Sequence, residues 1–235
     1  MGRIFEKRKH KMFARFDRMA KAFTRIGKDI AMAVKASGPN PDHNPRLRMY
    51  IQNAKGVNMP KDRVDAAIKR ASSKEEKDFQ EVIYEGYAPH GVPVIVECAT
   101  DNPTRTVANV RLHFSKNGGS MGNSGSVSFL FERKGVFKFD PAALNLADYE
   151  LDLIDAGAEE IQKEEEEIVI YTKFTEFGPM LKFLESKNID TRSSELQYIP
   201  TVTKELSEQE FEEVMECVTA LEVDEDVQTV YHNLA

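Results

Sequence analysis

Side chains able to do chemistry are spread thinly through this 235-residue chain, and none are grouped at the spacing of a catalytic centre. Cys98 and Cys217 are the two cysteines. They share no metal-ligand spacing, and Cys98 lies in an apolar run, so both are expected to be reduced, buried thiols. His90 sits in the turn Pro89–His90–Gly91 with no nucleophile or carboxylate placed beside it by any motif. It and His113 are expected to be ordinary residues. The run Glu164–Glu167 reads as a solvated turn. No Walker-type phosphate loop, nucleophile elbow or His/Cys cluster occurs. NGGSMGNSGS, residues Asn117–Ser126, holds four glycines in ten residues. It precedes a strand rather than a helix, so it does not suit a dinucleotide cradle. Its glycines allow close backbone approach to a ligand, or a mobile hairpin-like connector. Its residues Asn117, Gly118, Gly119, Ser120, Met121, Gly122, Asn123, Ser124 and Gly125 are the candidate functional loop. No enzyme activity, cofactor or metal is expected.

Charge is more informative. The formal net charge is −7, yet residues 1–77 hold 20 Lys and Arg against 8 Asp and Glu, a net +12, while the remainder is −19. Such asymmetry suggests a polyanion-binding portion joined to an acidic one. With 41% hydrophobic and 30% charged residues the chain reads as an ordinary soluble protein. No apolar run approaches the ~20 residues of a membrane span, and the N-terminus lacks the apolar region of a secretory signal. A cytoplasmic protein is expected.

The bases must be positioned by helices. Residues 1–36 read as one long helix, because Met12, Phe16, Met19, Phe23, Ile26 and Ile30 form a single apolar stripe. Lys11, Arg15, Arg18 and Arg25 lie beside it, Lys21 and Lys28 on its other flank, and Lys7, Arg8 and Lys9 in the first turns. Eleven bases against three acids favour a phosphate-facing surface over a merely solvated face. A transit peptide is also Arg-rich, but this stripe runs continuously into the domain. Asn44 caps a second helix from Pro45 to near Gly56, with Tyr50, Ile51 and Ala54 inward and bearing Arg46, Arg48 and Lys55. Pro60 opens a third, with Val64, Ala67 and Ile68 inward and Lys61, Arg63, Lys69 and Arg70 as its bases. The pair invites a helix-turn-helix label, although most such pairs are plain helical hairpins. Ser72–Asp78 is the expected linker.

From Phe79 the periodicity changes. Phe79–Tyr87 and Val92–Ala99 read as paired strands, the second apolar enough to be buried on both faces. Asn102–Pro103 starts a helix carrying Val107, Val110 and Phe114, stopped at Gly118. A strand over Val127–Arg133 would place Val127, Phe129 and Phe131 on one face. Then follow a strand at Val136–Phe139, a helix at Leu146–Ala156, strands at Glu160–Lys163 and Ile168–Thr172, a helix at Thr175–Lys187 and a strand at Ile189–Ile199. This β-α-β-β-α-β order is a ferredoxin-like unit. Ser207 and Glu210 form a capping box for a helix bearing Phe211, Val214, Met215, Val218 and Leu221. That helix and a strand at Val227–His232 are expected to close the sheet begun at Phe79. The expected fold class is therefore α+β: a basic three-helix domain (1–77), a discontinuous middle domain (78–135 with 201–235), and an inserted ferredoxin-like domain (136–200).

The chain also resembles the YebC family. The matching stretches are YEGY (Tyr84–Tyr87), VIVECATDN (Val94–Asn102), RTVANVR (Arg105–Arg111), KNGG (Lys116–Gly119) and GSVSFLFERKGV (Gly125–Val136). Outside them, NPRLR (Asn44–Arg48), NMPKD (Asn58–Asp62), IKRA (Ile68–Ala71), AGAE (Ala156–Glu159) and VQTVYHN (Val227–Asn233) also fit. Many members open with a His-Ser-Lys-Trp-like start, whereas this chain opens GRIFEKRKHKMFARFD and has no tryptophan. The resemblance implies a regulator of gene expression. Some members are described as DNA-binding transcriptional regulators, and others, including a mitochondrial translational activator of cytochrome oxidase, are tied to translation and relief of stalled synthesis. The implied partner is DNA, or ribosomal RNA and tRNA with the ribosome. The translation arm is preferred, because a specific DNA reader usually shows a clearer recognition helix. Two readings need no nucleic acid: docking of the +12 portion on the −19 surface of a second copy, and a membrane-surface helix.

Overall fold

The computed structural model describes residues 3–73 and 78–235, with side-chain surroundings from residue 19 onward. Two compact units result. One is Met1–Glu76 with Thr191–Ser193, and the other is Lys77–Asp190 with Ser194–Ala235.

The first unit contains α1 (Arg3–Ser37), α2 (Pro45–Gly56) and α3 (Lys61–Ala71), with α1 packed on both others. Its centre is Ile30, Ala33, Leu47 and Ala54, all at 0% exposure, with Val34, Val64 and Ala71 around them. Asn44 fixes the α1–α2 corner. Its side-chain oxygen accepts from the Leu47 N–H at 3.0 Å, and its amide donates to the Ala33 and Gly38 carbonyls at 2.8 and 2.9 Å. The Leu47 and Gly38 contacts satisfy backbone groups that a helix start and a turn leave open. On α2 the deep positions are Leu47, Asn53 and Ala54, whereas Tyr50 and Ile51, expected inward, are half-buried. The side chains of Met12 and Phe16 of the expected stripe, and part of the expected linker, lie outside what the structure describes.

The second unit comprises β1 (Gln80–Ala88), β2 (Val92–Thr100), α4 (Pro103–Lys116), β3 (Ser120–Met121), β4 (Phe131–Phe139), α5 (Leu146–Asp155), β5 (Ala158–Lys163), β6 (Ile168–Lys173), α6 (Phe177–Lys187), β7 (Ser193–Pro200), α7 (Glu208–Glu222) and β8 (Val227–His232). The fold is thus mixed α+β, with seven helices and two four-stranded antiparallel sheets among the described residues. The first sheet runs β3-β1-β2-β8 and the second β5-β6-β4-β7. The β1–β2 hairpin holds register from Gln80 opposite Thr100 to Ala88 opposite Val92.

The near-continuous apolar run of β2 follows from burial of both its faces. Val94, Ile95 and Val96 are all at 0% exposure. Val94, Val96 and Cys98 meet Val110 and Phe114 of α4 and Val214, Cys217, Val218 and Leu221 of α7. Ile95 points the other way, into a cluster with Val127, Phe131, Tyr198 and Tyr231. The second sheet has its own core in Phe137, Phe139, Leu153, Ile168, Ile170, Met180 and Leu184.

Two expectations need correction. The strands drawn at Val127–Arg133 and Val136–Phe139 are one strand, Phe131–Phe139, preceded by a 3-10 turn at Ser128–Leu130. Gly135 reads as a break in sequence. In the fold it lies in the ladder opposite Thr172, where a Cβ would stand 2.7 Å from the Phe177 ring. Because of the turn, Phe129 does not share a buried face with Val127 and Phe131: it is 71% exposed while they are at 0% and 8%. Phe211 was also expected inward, yet it is 42% exposed, one turn before the buried α7 stripe that starts at Val214.

Candidate nucleic-acid interface

The side chains of Lys7, Arg8, Lys9, Lys11, Arg15 and Arg18 lie outside the described residues. Further along α1, Lys21, Arg25 and Lys28 are half-buried. Their stems lie along the helix that carries the apolar stripe, the arrangement expected of long cationic side chains beside a core. Arg46, Lys55, Lys61, Arg63, Lys69 and Arg70 are exposed on α2 and α3. Two of these guanidiniums rest on aromatic rings: Arg46 is 5.6 Å from the Tyr50 centroid, and Arg63 is 5.7 Å from that of Phe23. Arg48 has a different role. It donates to the Pro41 carbonyl at 2.7 Å and the Asp42 carbonyl at 3.2 Å, tying down the turn before α2. Asn53, whose carboxamide is of the type that can pair with a base edge, is only 5% exposed.

The glycine loop belongs to the second unit, where a residue that no motif singled out organises it. Glu85 on β1 is 6% exposed. Its carboxylate accepts from the Gly125 and Val127 N–H groups at 2.7 Å and from the Ser128 N–H at 2.9 Å. Its carbonyl accepts from the Gly122 N–H at 2.8 Å, and the Tyr87 hydroxyl donates to the Ser126 carbonyl at 3.1 Å. Burial pushes the Glu85 carboxyl up, but the N–H groups of Val127, Gly125 and Ser128 outweigh it and hold the group below its ordinary value. Ser120–Met121 adds an edge strand to β1. At Gly119 a Cβ would stand 2.6 Å from the Tyr87 carbonyl, so only glycine allows this approach. Hydrogen bonds thus hold the loop at Gly119, Gly122, Gly125 and Ser126.

A second polar cluster locks α4 to the sheet. Asp226, 4% exposed, receives the Arg105 guanidinium at 2.7 Å and the Thr106 hydroxyl at 2.8 Å, with the Thr100 hydroxyl 3.2 Å away. Asp101 also receives Arg105, at 2.9 Å, and Asn102 caps α4 by accepting from the Arg105 N–H at 3.1 Å. His90 is not isolated as its motif suggested. Its Nε2 lies 2.8 Å from Glu213 and its Nδ1 3.6 Å from Glu210, and the Lys204 ammonium donates to its carbonyl. Those partners come from α7 and the segment before it. His113 lies 3.4 Å from Asp224. Both cysteines are buried, as expected, and burial pushes the Cys217 thiol up to about 11. Among the described residues no group of three or more His, Cys, Asp and Glu could hold a metal ion, and no helix is long and apolar enough to cross a membrane.

Two sequence models from one family match almost end to end. The TACO1/YebC protein N-terminal domain covers residues 3–74, and the TACO1/YebC second and third domain covers residues 79–234. The chain belongs to the TACO1/YebC family. It is 56% identical to a "Probable transcriptional regulatory protein" of Anaeromyxobacter dehalogenans over 240 residues, covering 100% of both chains. A protein of the same name from Cytophaga hutchinsonii is 56% identical over 235 residues, covering 100% of this chain and 99% of that one. Among solved structures, the crystal structure of a conserved hypothetical protein from Aquifex aeolicus superposes with a TM-score of 0.80 at 38% identity, covering 92% of this chain and 90% of that chain.

Several stretches by which the chain resembles this TACO1/YebC family have physical roles in the fold. VIVECATDN supplies the doubly buried strand and the cap of α4. RTVANVR supplies Arg105 and Thr106, which reach Asp226. YEGY supplies Glu85, and GSVSFLF supplies the N–H groups that Glu85 holds together with the exposed Phe129. Sequence reasoning missed Glu85 and Asp226 as organising residues. For Glu85 the signal was an acid set between Tyr84 and Gly86-Tyr87 in mid-strand, which demands a partner if buried; Asp226, in the acidic turn before β8, offered no such signal.

Proposed function

We propose that this TACO1/YebC protein is a nucleic-acid-binding regulator of gene expression, not an enzyme, and that it works on RNA, with ribosomal RNA or tRNA on the ribosome as the favoured target. The sixteen bases Lys7 to Arg70 named above are its proposed contacts, with Arg48 contributing charge while it braces α2. The observation that carries this reading is the exposed cation set on α2 and α3 of a segment bearing +12. Phosphate contacts of this kind supply affinity without sequence information.

RNA is favoured over promoter DNA by what α3 lacks. A recognition helix reads base edges with its first turns, but here those turns present the exposed carboxylates Asp62 and Asp65. On α2, the amide of Asn53 is buried. Shape and phosphate recognition, as in structured RNA, tolerates this arrangement. A DNA-binding transcriptional regulator is the second reading, favoured by the names of the relatives.

The chain is read as three domains: 1–77, 78–135 with 201–235, and 136–200. Support for the last as ferredoxin-like is the order β4-α5-β5-β6-α6-β7, with its sheet ordered second, third, first, fourth.

Crosslinking in growing cells, with RNA and DNA sequenced from one lysate, tests the assignment. Ribosomal RNA and tRNA recovered by the wild type, and lost in a variant with Lys61, Lys69 and Arg70 changed to Glu, are expected. Discrete promoter sites would establish the transcriptional reading. Recovery of neither would leave electrostatic self-assembly. In vitro, about six phosphate contacts give a log–log salt slope near −5 on duplex DNA and about −4 on single strands.

A further inference from the structure

We propose that Phe129 is a stacking platform for an unpaired nucleobase, making the turn after the glycine loop a contact for single-stranded RNA in the second unit. This deepens the nucleic-acid reading and rests on it.

The ring is presented, not merely uncovered. Phe129 is 71% exposed, while its neighbours in the turn are anchored on both sides: Val127 at 0% and Phe131 at 8%. Glu85 holds the Val127 and Ser128 N–H groups at 2.7 and 2.9 Å. The Leu130 N–H bonds the Val127 carbonyl at 2.9 Å, and the Leu130 carbonyl accepts from both the N–H and the hydroxyl of Thr201 at 3.0 Å. Backbone ordering at this turn is therefore complete before any ligand arrives, and binding does not have to supply it.

Residues 78–235 hold 31 acids against 12 bases, yet the thirty residues from Asn102 to Phe131 contain no acid, and the next one, exposed Glu132, comes three residues after Phe129. The Glu85 carboxylate is turned inward, with both oxygens accepting main-chain N–H groups. The ring's sequence neighbourhood is small and polar: Asn123, Ser124, Gly125, Ser126 and Ser128. Val202, one residue past Thr201, is the other strongly exposed apolar side chain near this point, at 70%. A protein-binding hot spot sits at the centre of a broad, well-packed patch. One ring among serines and glycines instead matches base stacking, which needs a π-face and little else.

The test uses the full chain and a short adenine-rich RNA carrying 2-aminopurine, offered single-stranded or annealed to its complement. Wild type is expected to perturb 2-aminopurine fluorescence in the single strand only. F129A is expected to lose that signal and to weaken single-strand binding by about five- to 150-fold, the range for one stacked base, with duplex binding unchanged. F129W should restore both, and F129L should not. Because the side chain is exposed, unchanged thermal unfolding of these variants verifies the fold. Single-strand affinity equal to wild type in F129A overturns the proposal, and so does full activity in F129L, which would indicate apolar docking. Either result leaves the basic-helix reading standing if the variant with Lys61, Lys69 and Arg70 changed to Glu still loses both RNAs. Failure of wild type to bind either RNA overturns both.

Discussion

Replacing Glu85 by glutamine removes one charge and rotates nothing else by necessity, which makes it a clean probe of the loop clamp. The carboxylate now accepts three main-chain N–H groups, at 2.7, 2.7 and 2.9 Å, from a position 6% exposed. A carboxamide in the same place keeps one oxygen for the Val127 and Ser128 N–H groups but turns its NH2 toward the Gly125 N–H. One donor is then left without an acceptor, costing about 1–3 kcal/mol. The two surviving bonds lose their charge assistance, which roughly halves them. A total near 2–4 kcal/mol is expected, a large share of a typical folding free energy of about 5–15 kcal/mol. At about 2–4 °C per kcal/mol, the midpoint should fall by roughly 4–16 °C. Circular dichroism is the probe of choice, since the chain has no tryptophan. Amide hydrogen exchange should show Gly125, Val127 and Ser128 losing protection first. The pH dependence has a definite sign. The folded carboxyl lies below its ordinary value, so its contribution is fully present above the unfolded value of about 4.3 and fades as pH falls through the folded one. Wild type and variant should therefore converge in acid. An unchanged midpoint at neutral pH, with Val127 still protected, would refute the clamp.

Three further outcomes follow from the packing. Burial lowers the His232 basicity, so folding favours its neutral form. Stability should drop as pH falls below about 6.5, and His232→Gln should flatten that part of the curve. An unaltered slope in urea titrations across that range would exclude the residue as its source. Cys98 and Cys217 are buried, with the Cys217 thiol pushed up to about 11, so a thiol reagent should label neither at neutral pH until the chain unfolds. Rapid labelling of native protein would show the core to be open. Phe114, at 0% exposure between α4 and the sheet, should cost about 3–5 kcal/mol when cut to alanine. A loss under 1 kcal/mol in denaturant unfolding would mean the site collapses around the gap.

Much of this protein is determined locally and was legible in the sequence. Asn44–Pro45, Asn102–Pro103 and Ser207 with Glu210 specify helix starts through contacts within three residues, and all three helices begin there. The nearly continuous run Val92–Ala99 announces a doubly buried strand because apolar side chains occupy both faces, with Glu97 its one charged residue. The charge division is a property of composition alone. What only the tertiary structure decided are the contacts made across long stretches of chain. Glu85 meets N–H groups about forty residues away, and Asp226 meets Arg105 from 121 positions along. Val127–Phe131 alternates like a strand, and by periodicity alone it should be one. In the fold a buried carboxylate offers its N–H groups stronger bonds than a ladder would, the chain turns, and Phe129 faces solvent instead of the core. His90 likewise acquires its carboxylates from α7, which no spacing in the sequence could foretell. Local capping and periodicity act within a few residues, whereas satisfying a buried charge depends on whichever donors the completed sheet brings to it.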